Sequence, residues 1–268
     1  MITSTGNQQV RNINALMKRA KERRAQRCFV AEGTRMCMEA PRGMLRAVYV
    51  SESYIADERH RKALAGCPYE VLSDKVFAAV SDTQTPQGIL SVVRMPEYPF
   101  EALLDGDRTH LLILESIQDP GNLGTMLRTG EGAGITGVIM NRTTADLFAP
   151  KTIRSTMGSI YRLPYRIVDA LEDTLAELKR RGIALYAAHP EGGAAYDAPD
   201  YTGACGFLIG NEGNGLSERI AACAGARVRI PMEGQVESLN AAVSAALLMY
   251  ECSRQRRAAI AQKGQPQV

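Results

Sequence analysis

The sequence predicts an α/β protein built from two domains, on the strength of three observations. Short apolar segments alternate with amphipathic ones along most of the 268 residues, as expected where helices cover a sheet. Segments such as LLIL and FLIG are apolar without interruption, which is typical of parallel strands buried on both faces. The stretch PEYPFEALLDGDRT is rich in proline and turn-forming residues and predicts a linker, so we place the domain boundary near residues 95–108.

The first half predicts a small α/β domain over residues 1–98. A basic helix is expected over residues 10–26, and CFVAEGTRMCMEA predicts a short strand that leads into a helix. Three more strands and two more helices complete the domain. The predicted strands are LRAVYVS, YEVLS and GILSVVRM, and the predicted helices are ADERHRKALAG and DKVFAAVSD.

The second half predicts a larger α/β domain over residues 108–268. Its predicted strands are HLLILES, GVIMNR, YRIVD, IALYAAHP, CGFLIGN and RVRIPM. Its predicted helices lie near residues 122–132, 146–157, 170–181, 216–223 and 238–256. The tail AQKGQPQV is expected to fray.

The composition predicts a globular protein of the cytoplasm. Hydrophobic residues make up 45% of the chain and charged residues 23%, with no apolar run long enough to span a membrane. The amino-terminal segment MITSTGNQQVRNINALMKRAKERR lacks the apolar core of a secretory signal. The six cysteines are scattered and form no Cys-x-x-Cys pair, so we expect reduced thiols and no metal.

Basic residues are concentrated in two stretches, although the net charge is only +3. Either stretch alone is most simply a solvated helix face, but two of them favour a polyphosphate partner such as RNA or DNA. Residues 1–30 contain Arg11, Lys18, Arg19, Lys21, Arg23, Arg24 and Arg27 against the single acid Glu22. Residues 150–168 contain Lys151, Arg154, Arg162 and Arg166 and no acid.

Two glycine-rich turns, DPGNLGTMLR and IGNEGNGLSE, suggest phosphate binding, yet neither is a nucleotide motif. Neither has the Gly-x-x-x-x-Gly-Lys-Ser/Thr pattern of a P-loop or the Gly-x-Gly-x-x-Gly pattern of a dinucleotide fold. ATP and NAD are therefore poorly supported. The turns nevertheless follow predicted strands, which is where open α/β sheets place their ligands.

Polar residues follow three of the predicted strands in a distinctive order. The motifs are Asn-x-Gly-x-x-x-Arg at 122–128, Ile-Gly-x-Glu-x-x-Gly at 209–215, and Ile-Pro-Met at 230–232 followed by Ser-Leu-Asn at 238–240. In order and spacing they are similar to the three signature motifs of the SpoU (TrmH-type) RNA 2′-O-ribose methyltransferases. The resemblance covers residues 108–256, and the amino-terminal part resembles the small RNA-binding domain of the same family.

The resemblance implies a SPOUT-type parallel sheet with a carboxyl-terminal trefoil knot and a homodimer with the last helix at its interface. It also implies S-adenosylmethionine as the methyl donor and RNA, in particular ribosomal RNA, as the substrate. The cofactor residues that it implies are Leu208, Gly210, Ile230, Met232 and Leu239, acting largely through their backbone. The catalytic residues that it implies are Asn122, Arg128, Glu212, Ser238 and Asn240.

Arg128 matches the arginine that the family has at the reacting hydroxyl. Because a guanidinium stays protonated, we expect it to clamp a phosphate and to stabilise the developing alkoxide, not to act as a free base. Asn122 is expected to orient Arg128, and Glu212 either to pair with Arg128 or to hold the loop that faces the RNA. Asn122 and Ser238 can also cap helices, as asparagine and serine often do.

Alternatives to ribosomal RNA methylation remain at this point. A tRNA 2′-O-methyltransferase belongs to the same class, and an RNA-binding protein without catalysis belongs to another. The basic stretches disfavour a methyltransferase acting on small molecules. His189 follows a predicted strand end, which can place it near the cofactor, but a structural histidine is the preferred interpretation.

Overall fold

The computed structural model describes residues 1–191 and 193–263, and these form two compact units. Residues 146–161, predicted in the second half, cluster with the first unit. The ranges predicted for the two functional domains stay predictions. Unit 1 comprises Met1–Glu97 and Asp146–Tyr161, and unit 2 comprises Tyr98–Ala145 and the chain from Arg162 onward.

Unit 1 contains a mixed four-stranded sheet with the order β1-β4-β2-β3. Strand β4 is antiparallel to both of its neighbours, and β2 is parallel to β3. The strands are β1 (Cys28–Glu32), β2 (Leu45–Ser51), β3 (Glu70–Leu72) and β4 (Ile89–Arg94). The helices are α1 (Gln8–Lys18), α2 (Ala20–Gln26), α3 (Thr34–Glu39), α4 (Glu52–Ala56), α5 (Glu58–Ala63), α6 (Asp74–Val80) and α8 (Pro150–Thr156).

Helices cover both faces of this sheet. On one face α1 and α6 bury an apolar stripe that includes Ile13, Leu16 and Phe77. On the other face Cys37 of α3 and Tyr54 of α4 pack against β2 and β4. The helices are amphipathic because each has one covered face, and this accounts for the periodicity of the sequence.

One helix predicted in unit 1 is broken into two, and the helix predicted over residues 56–66 corresponds to α5, which is preceded by α4, a helix that the sequence does not predict. The basic helix expected over residues 10–26 breaks at Arg19, whose backbone is extended and whose amide donates to Ala15. Asp57 is likewise extended, separates α4 from α5, and accepts a hydrogen bond from the amide of Arg59. Both boundaries are capping events, which a hydrophobic period alone does not indicate.

Unit 2 contains a seven-stranded, entirely parallel sheet with the order β7-β6-β5-β10-β8-β11-β9. The strands are β5 (His110–Leu114), β6 (Gly137–Asn141), β7 (Tyr165–Val168), β8 (Ala184–Ala188), β9 (Ala194–Ala195), β10 (Cys205–Ile209) and β11 (Ala226–Arg229). The helices are α7 (Pro120–Ala133), α9 (Leu171–Arg180), α10 (Glu218–Ala221) and α11 (Ala241–Lys263). Short 3-10 helices lie at Arg42–Met44, Phe100–Leu103 and Ser159–Tyr161.

The uninterrupted apolar runs form the centre of this sheet, as the sequence predicts. Every residue of β5 and β10 is buried, and the two strands are neighbours in the sheet. The two-residue strand β9 was not predicted, and α11 extends past residue 256 to Lys263. Residues 264–268 of the predicted frayed tail lie outside the described residues. None of the described helices is long and apolar enough to cross a membrane.

Several of the basic residues counted above are engaged inside the units. Arg23 is buried, donates to the carbonyls of Leu16 and Met17, and forms an ion pair with Asp146 at 2.6 Å. In the second stretch, the partners are Asp82 for Arg154, Glu131 for Arg162 and the carbonyl of Tyr98 for Arg166. The second stretch lacks acids only in sequence, because the fold brings acids to it.

Candidate functional site

Three loops at the carboxyl edge of the parallel sheet bring the sequence motifs together. We define loop 1 as residues 115–119 after β5, loop 2 as residues 210–217 after β10, and loop 3 as residues 230–240 between β11 and α11. Because all seven strands are parallel, these loops leave the sheet at the same edge. Strands β5 and β10 are adjacent, and β8 alone separates β10 from β11.

A chain of side-chain hydrogen bonds joins the three loops. The Asn122 amide donates from Nδ2 to Oε1 of Glu212 at 3.1 Å, and its Oδ1 accepts from Nδ2 of Asn240 at 3.1 Å. Glu212 also accepts from the backbone amides of Gln118 at 2.9 Å and Asp119 at 3.0 Å. One residue of each motif therefore takes part in a single network.

The hydrogen bonds of this network favour the ionised form of Glu212. Partial burial raises the pKa of Glu212, but the amides of Gln118, Asp119 and Asn122 together outweigh that effect, and the pKa lies below its ordinary value. A carboxylate that already accepts three hydrogen bonds is held in place and is a poor acceptor for a further proton. Glu212 therefore joins loop 2 to loop 1.

The helix caps belong to other residues than those expected. Asp119 caps α7 by accepting from the amide of Asn122 at 2.8 Å, with Pro120 following as the first helical residue. Asn240 caps α11 by accepting from the amides of Ala242 and Val243. The side chain of Asn122 is thus free to join the network.

Arg128 stands apart from the network: the structure shows neither the contact expected from Asn122 nor the pairing that was one of two alternatives for Glu212. It lies on α7 six residues after Asn122, about 9 Å further along the helix axis, and does not pair with Asn122 or Glu212. Its side chain is exposed and has no hydrogen bond or ion pair within the part of the chain that the structure describes. Glu212 has its oxygens turned to loop 1 instead.

Three of the five predicted cofactor residues line one cavity in unit 2. Ile230, Met232 and Leu239 surround a volume of about 120 Å³, together with Ser238. His189 lines the same cavity, with Nδ1 accepting from the amide of Glu191 at 3.1 Å. His189 directly follows β8 and lies beside the predicted cofactor residues, which is the alternative to a structural role that its position after a strand indicates.

The other two predicted cofactor residues do not line this cavity. Leu208 is fully buried in the core of unit 2. Gly210 has loop 2 folded back onto it: a Cβ atom there would lie 2.1 Å from the carbonyl carbon of Gly215 and from the amide nitrogen of Leu216. The glycine is therefore required by its own loop, which closes with paired backbone hydrogen bonds between Asn211 and Gly215.

Loop 1 is also stabilised by hydrogen bonds with polar residues that the sequence analysis does not identify. Ser116 has a left-handed backbone, with φ of 58°, which is uncommon for a residue with a side chain. Its amide donates to Oδ1 of Asn141 at 2.9 Å, and its carbonyl accepts from Nδ2 of Asn211 at 2.9 Å. Glu115 accepts from both the amide and the hydroxyl of Ser217. Each lies at or just beyond a strand end, and that position was the available signal.

A wider groove opens beside the network, between α7 and α11. We call it the α7–α11 groove; its volume is about 610 Å³ and Asn122 and Asn240 lie at its wall. Val243 and Tyr250 of α11 line it and are 48% and 46% exposed, unusually high for large apolar side chains of a helix that also packs in the core. This surface is therefore suited to a partner.

Comparison with known proteins identifies the family. A model of the SpoU rRNA Methylase family matches residues 109–250, more than half of the chain. The chain belongs to the SpoU rRNA methylase family. This SpoU-family protein is therefore an RNA methyltransferase, and the resemblance described from its motifs is confirmed. A second model, the MRM3-like substrate binding domain, matches residues 7–91.

Relatives of the SpoU-family protein align over nearly its whole length. The 23S rRNA (guanosine(2553)-2′-O)-methyltransferase RlmP of Bacillus subtilis is 35% identical over 252 residues, covering 93% of this chain and 97% of the relative. The SpoU methyltransferase AviRb from Streptomyces viridochromogenes, solved with the cofactor AdoMet, matches with a TM-score of 0.85 and 25% identity over 94% of this chain and 98% of that one. An AdoMet-bound rRNA methyltransferase from Sinorhizobium meliloti matches with a TM-score of 0.82 and 30% identity, over 94% and 97% of the two chains.

These likenesses confirm the predicted SPOUT-type fold with its parallel sheet and smaller amino-terminal domain. The trefoil knot and the roles of the individual site residues stay predictions.

Proposed function

We propose that the protein transfers a methyl group from S-adenosylmethionine to a ribose 2′-hydroxyl of ribosomal RNA. Family membership and the relative that methylates 23S rRNA at a 2′-oxygen support the reaction and its substrate. The observation that carries the proposal is the hydrogen-bonded chain Glu212–Asn122–Asn240, which joins all three motif loops.

The residues around the cavity of Ile230, Met232 and Leu239 are chemically suited to the cofactor, and its volume of about 120 Å³ accommodates part of a molecule of that size. Its aliphatic walls offer contact to an adenine ring, and no lysine or arginine among the described residues lines it, so a sulfonium cation meets no repulsion. Ser238 and Glu237 supply polar groups at its rim. When bound, the cofactor supplies an electrophilic methyl group. Ile230, Met232 and Leu239 would hold it.

Arg128 is the residue that we assign to the RNA. An exposed guanidinium without a partner in the part of the chain that the structure describes is available for a phosphate, which it can bind through two parallel hydrogen bonds. Its permanent charge also stabilises the alkoxide that forms when the 2′-hydroxyl loses its proton to water, before that oxygen accepts the methyl group. Binding that nucleotide in one orientation accounts for much of the expected acceleration.

Asn122, Glu212 and Asn240 are positioning residues in this scheme. Glu212 fixes the amino terminus of α7 through the amides of loop 1, and Asn240 fixes the start of α11. Asn122 couples the two. The helix that carries Arg128 is thereby held against the loops that form the cofactor cavity.

We also infer a homodimer in the cytoplasm. The exposed side chains of Val243 and Tyr250 give the α7–α11 groove an apolar surface, and a second copy of the chain would cover it. The family resemblance likewise implies a homodimer with the last helix at its interface.

The reaction is tested by methyl transfer to RNA. The protein is incubated with methyl-labelled S-adenosylmethionine and unmodified ribosomal RNA, with tRNA in parallel, and the labelled nucleoside is identified after digestion. We expect a 2′-O-methylated nucleoside from ribosomal RNA. Arg128→Ala should reduce transfer by about 10²–10³-fold, as removal of one group that stabilises an oxyanion does, with cofactor affinity unchanged in calorimetry.

Arg108→Ala is the matched control. Arg108 is also an exposed arginine of unit 2, but it precedes β5 at the opposite sheet edge and pairs only with Asp105. Its loss should leave transfer unchanged, since an exposed ion pair contributes little. Label in tRNA alone would favour the tRNA alternative. Absence of both transfer and cofactor binding would favour an RNA-binding protein without catalysis.

A further inference from the structure

Unit 1 contains a cavity that the methyl-transfer site does not use. It has a volume of about 240 Å³ and lies where β2 begins, within the residues matched by the substrate-binding domain model. Leu45 and Val48 form its apolar floor, and the turn that contains Cys67 and Pro68 forms one wall. Helix α5 ends at Ala63, and the residues that follow it, Gly66 to Pro68, line the cavity.

A β-bulge shapes the cavity. In the pairing of β2 with β4, Leu45 lies opposite Val93 and Ala47 lies opposite Val92, so Arg46 is an extra residue. Bulges redirect side chains and are frequent beside binding sites. Here Leu45 and Val48, three residues apart, contact the same apolar cluster, and Arg46 lines the cavity with them.

The cavity carries positive charge that nothing in the unit neutralises. Arg42 and Arg46 line it, both are exposed, and neither side chain has a hydrogen bond or ion pair among the described residues. Arg94, which ends the neighbouring strand β4, is likewise exposed and without a partner there. By contrast, Arg35 and Arg59 of the same unit pair with acids at 2.8 Å and 2.7 Å.

We propose that this cavity binds one unpaired nucleotide of the substrate RNA. The base lies on the apolar floor and its phosphate lies on the guanidinium groups of Arg42 and Arg46, with Arg94 near the next phosphate. Sequence-selective RNA recognition uses unpaired bases in this way, because the bases of a duplex are stacked and inaccessible. The inference rests on the proposed function for the identity of the ligand as RNA.

Loss of the two arginines tests the site. Arg42→Ala/Arg46→Ala should weaken binding of an unmodified 23S rRNA transcript by about tenfold or more, as the loss of specific nucleic-acid contacts does. The slope of log affinity against log salt should fall by about 1.4, for two contacts to a single strand. Arg59→Ala/Lys62→Ala removes two exposed charges elsewhere in unit 1, and should change neither value.

The thiol of Cys67 provides a probe that needs no variant. Cys67 and Cys223 are the only partly exposed cysteines among the described residues, and Cys223 lies in unit 2 outside the cavity. A short single-stranded oligoribonucleotide should slow alkylation of Cys67 by iodoacetamide, whereas a duplex of the same length should not. Alkylation of Cys223 should be unaffected by either.

The outcomes separate this inference from the proposed function. Wild-type methyl transfer with unchanged RNA affinity in the Arg42/Arg46 double variant would overturn the nucleotide site alone. Equal protection of Cys67 by polyglutamate would overturn it in favour of an acidic peptide. Protection by single-stranded RNA in a protein that transfers no methyl group would support the site and reject the proposed reaction.

Discussion

Glu212 stabilises the arrangement of two loops through the hydrogen bonds that its carboxylate accepts. Its carboxylate accepts from Gln118, Asp119 and Asn122, and its pKa is held below the ordinary value because these donors favour the charged form more than burial disfavours it. The side chain thus links loop 2 to loop 1. Because the charged carboxylate is the form that these hydrogen bonds favour, the link between the loops weakens as the pH falls through the pKa of Glu212.

Glu212→Gln should lower the free energy of unfolding at neutral pH by up to about 1 kcal/mol, because the network keeps one acceptor oxygen but loses the charge, and exposure to solvent screens that charge. The folded pKa lies below the value of about 4.3 for an unfolded glutamate, so the carboxylate stabilises the protein above that pH. This contribution is lost as the pH falls through the folded pKa. Urea unfolding of both proteins from pH 7 downward should show the difference shrinking below about pH 4.

Glu233→Gln is the control for this experiment, since Glu233 is an exposed residue of loop 3 without a hydrogen-bond partner among the described residues. It should change stability by less than about 0.5 kcal/mol. If Glu212→Gln lowers the free energy of unfolding by the same amount at every pH, the site requires the shape of the side chain and not its charge.

At the scale of elements, the turn of loop 2 depends on close backbone packing. Strand β10 ends at Ile209, and the chain then folds back so that Gly215 and Leu216 contact Gly210 directly. Gly215 adopts a φ of 67°, which returns the chain to α10. The glycines of motif 2 are thus explained by the loop itself, before any ligand is considered.

Gly210→Ala should destabilise the protein by about 1–3 kcal/mol, the usual cost of forcing extra volume into a packed region. The added Cβ would lie 2.1 Å from backbone atoms, which cannot move aside as a flexible side chain can. Gly213→Ala in the same loop is the matched control, because its Cβ would approach nothing closer than Oδ1 of Asn211 at 3.5 Å. Thermal unfolding compares the two. Equal melting temperatures would contradict the packing argument.

At the scale of the whole molecule, helix α11 has one face buried in the core and another face exposed. Leu248 and Met249 are fully buried in the fold, while Val243 and Tyr250 of the same helix are exposed in the α7–α11 groove. Apolar residues on all sides of a helix indicate burial on all sides. The exposed side of α11 therefore supports the proposed homodimer.

Val243→Glu/Tyr250→Glu should convert the protein from two chains to one in sedimentation velocity, because burying two carboxylates in an apolar interface is strongly unfavourable. Ile260→Glu is the control on the same helix: Ile260 is 71% exposed and lies outside the groove, about 15 Å beyond Tyr250. It should leave the mass unchanged. A wild-type protein that sediments as a single chain would reject the dimer.

The sequence by itself determined the fold class, the buried strands and the three motifs. These follow from local rules: β5 and β10 are apolar throughout because a parallel sheet is covered on both faces, and Asn122, Glu212 and Asn240 each follow a strand or precede a helix. The family could be inferred from the order of the motifs before any coordinate was known.

Only the tertiary structure decided which of those residues meet. It joins Asn122 to Glu212 and Asn240, residues 90 and 118 positions away, and leaves Arg128 exposed. It buries Arg23 against Asp146 and supplies acids to a basic stretch that has none of its own. Periodicity and spacing report which side of an element is covered, whereas contacts across the chain depend on how strands are ordered in the sheet, and no local pattern encodes that order.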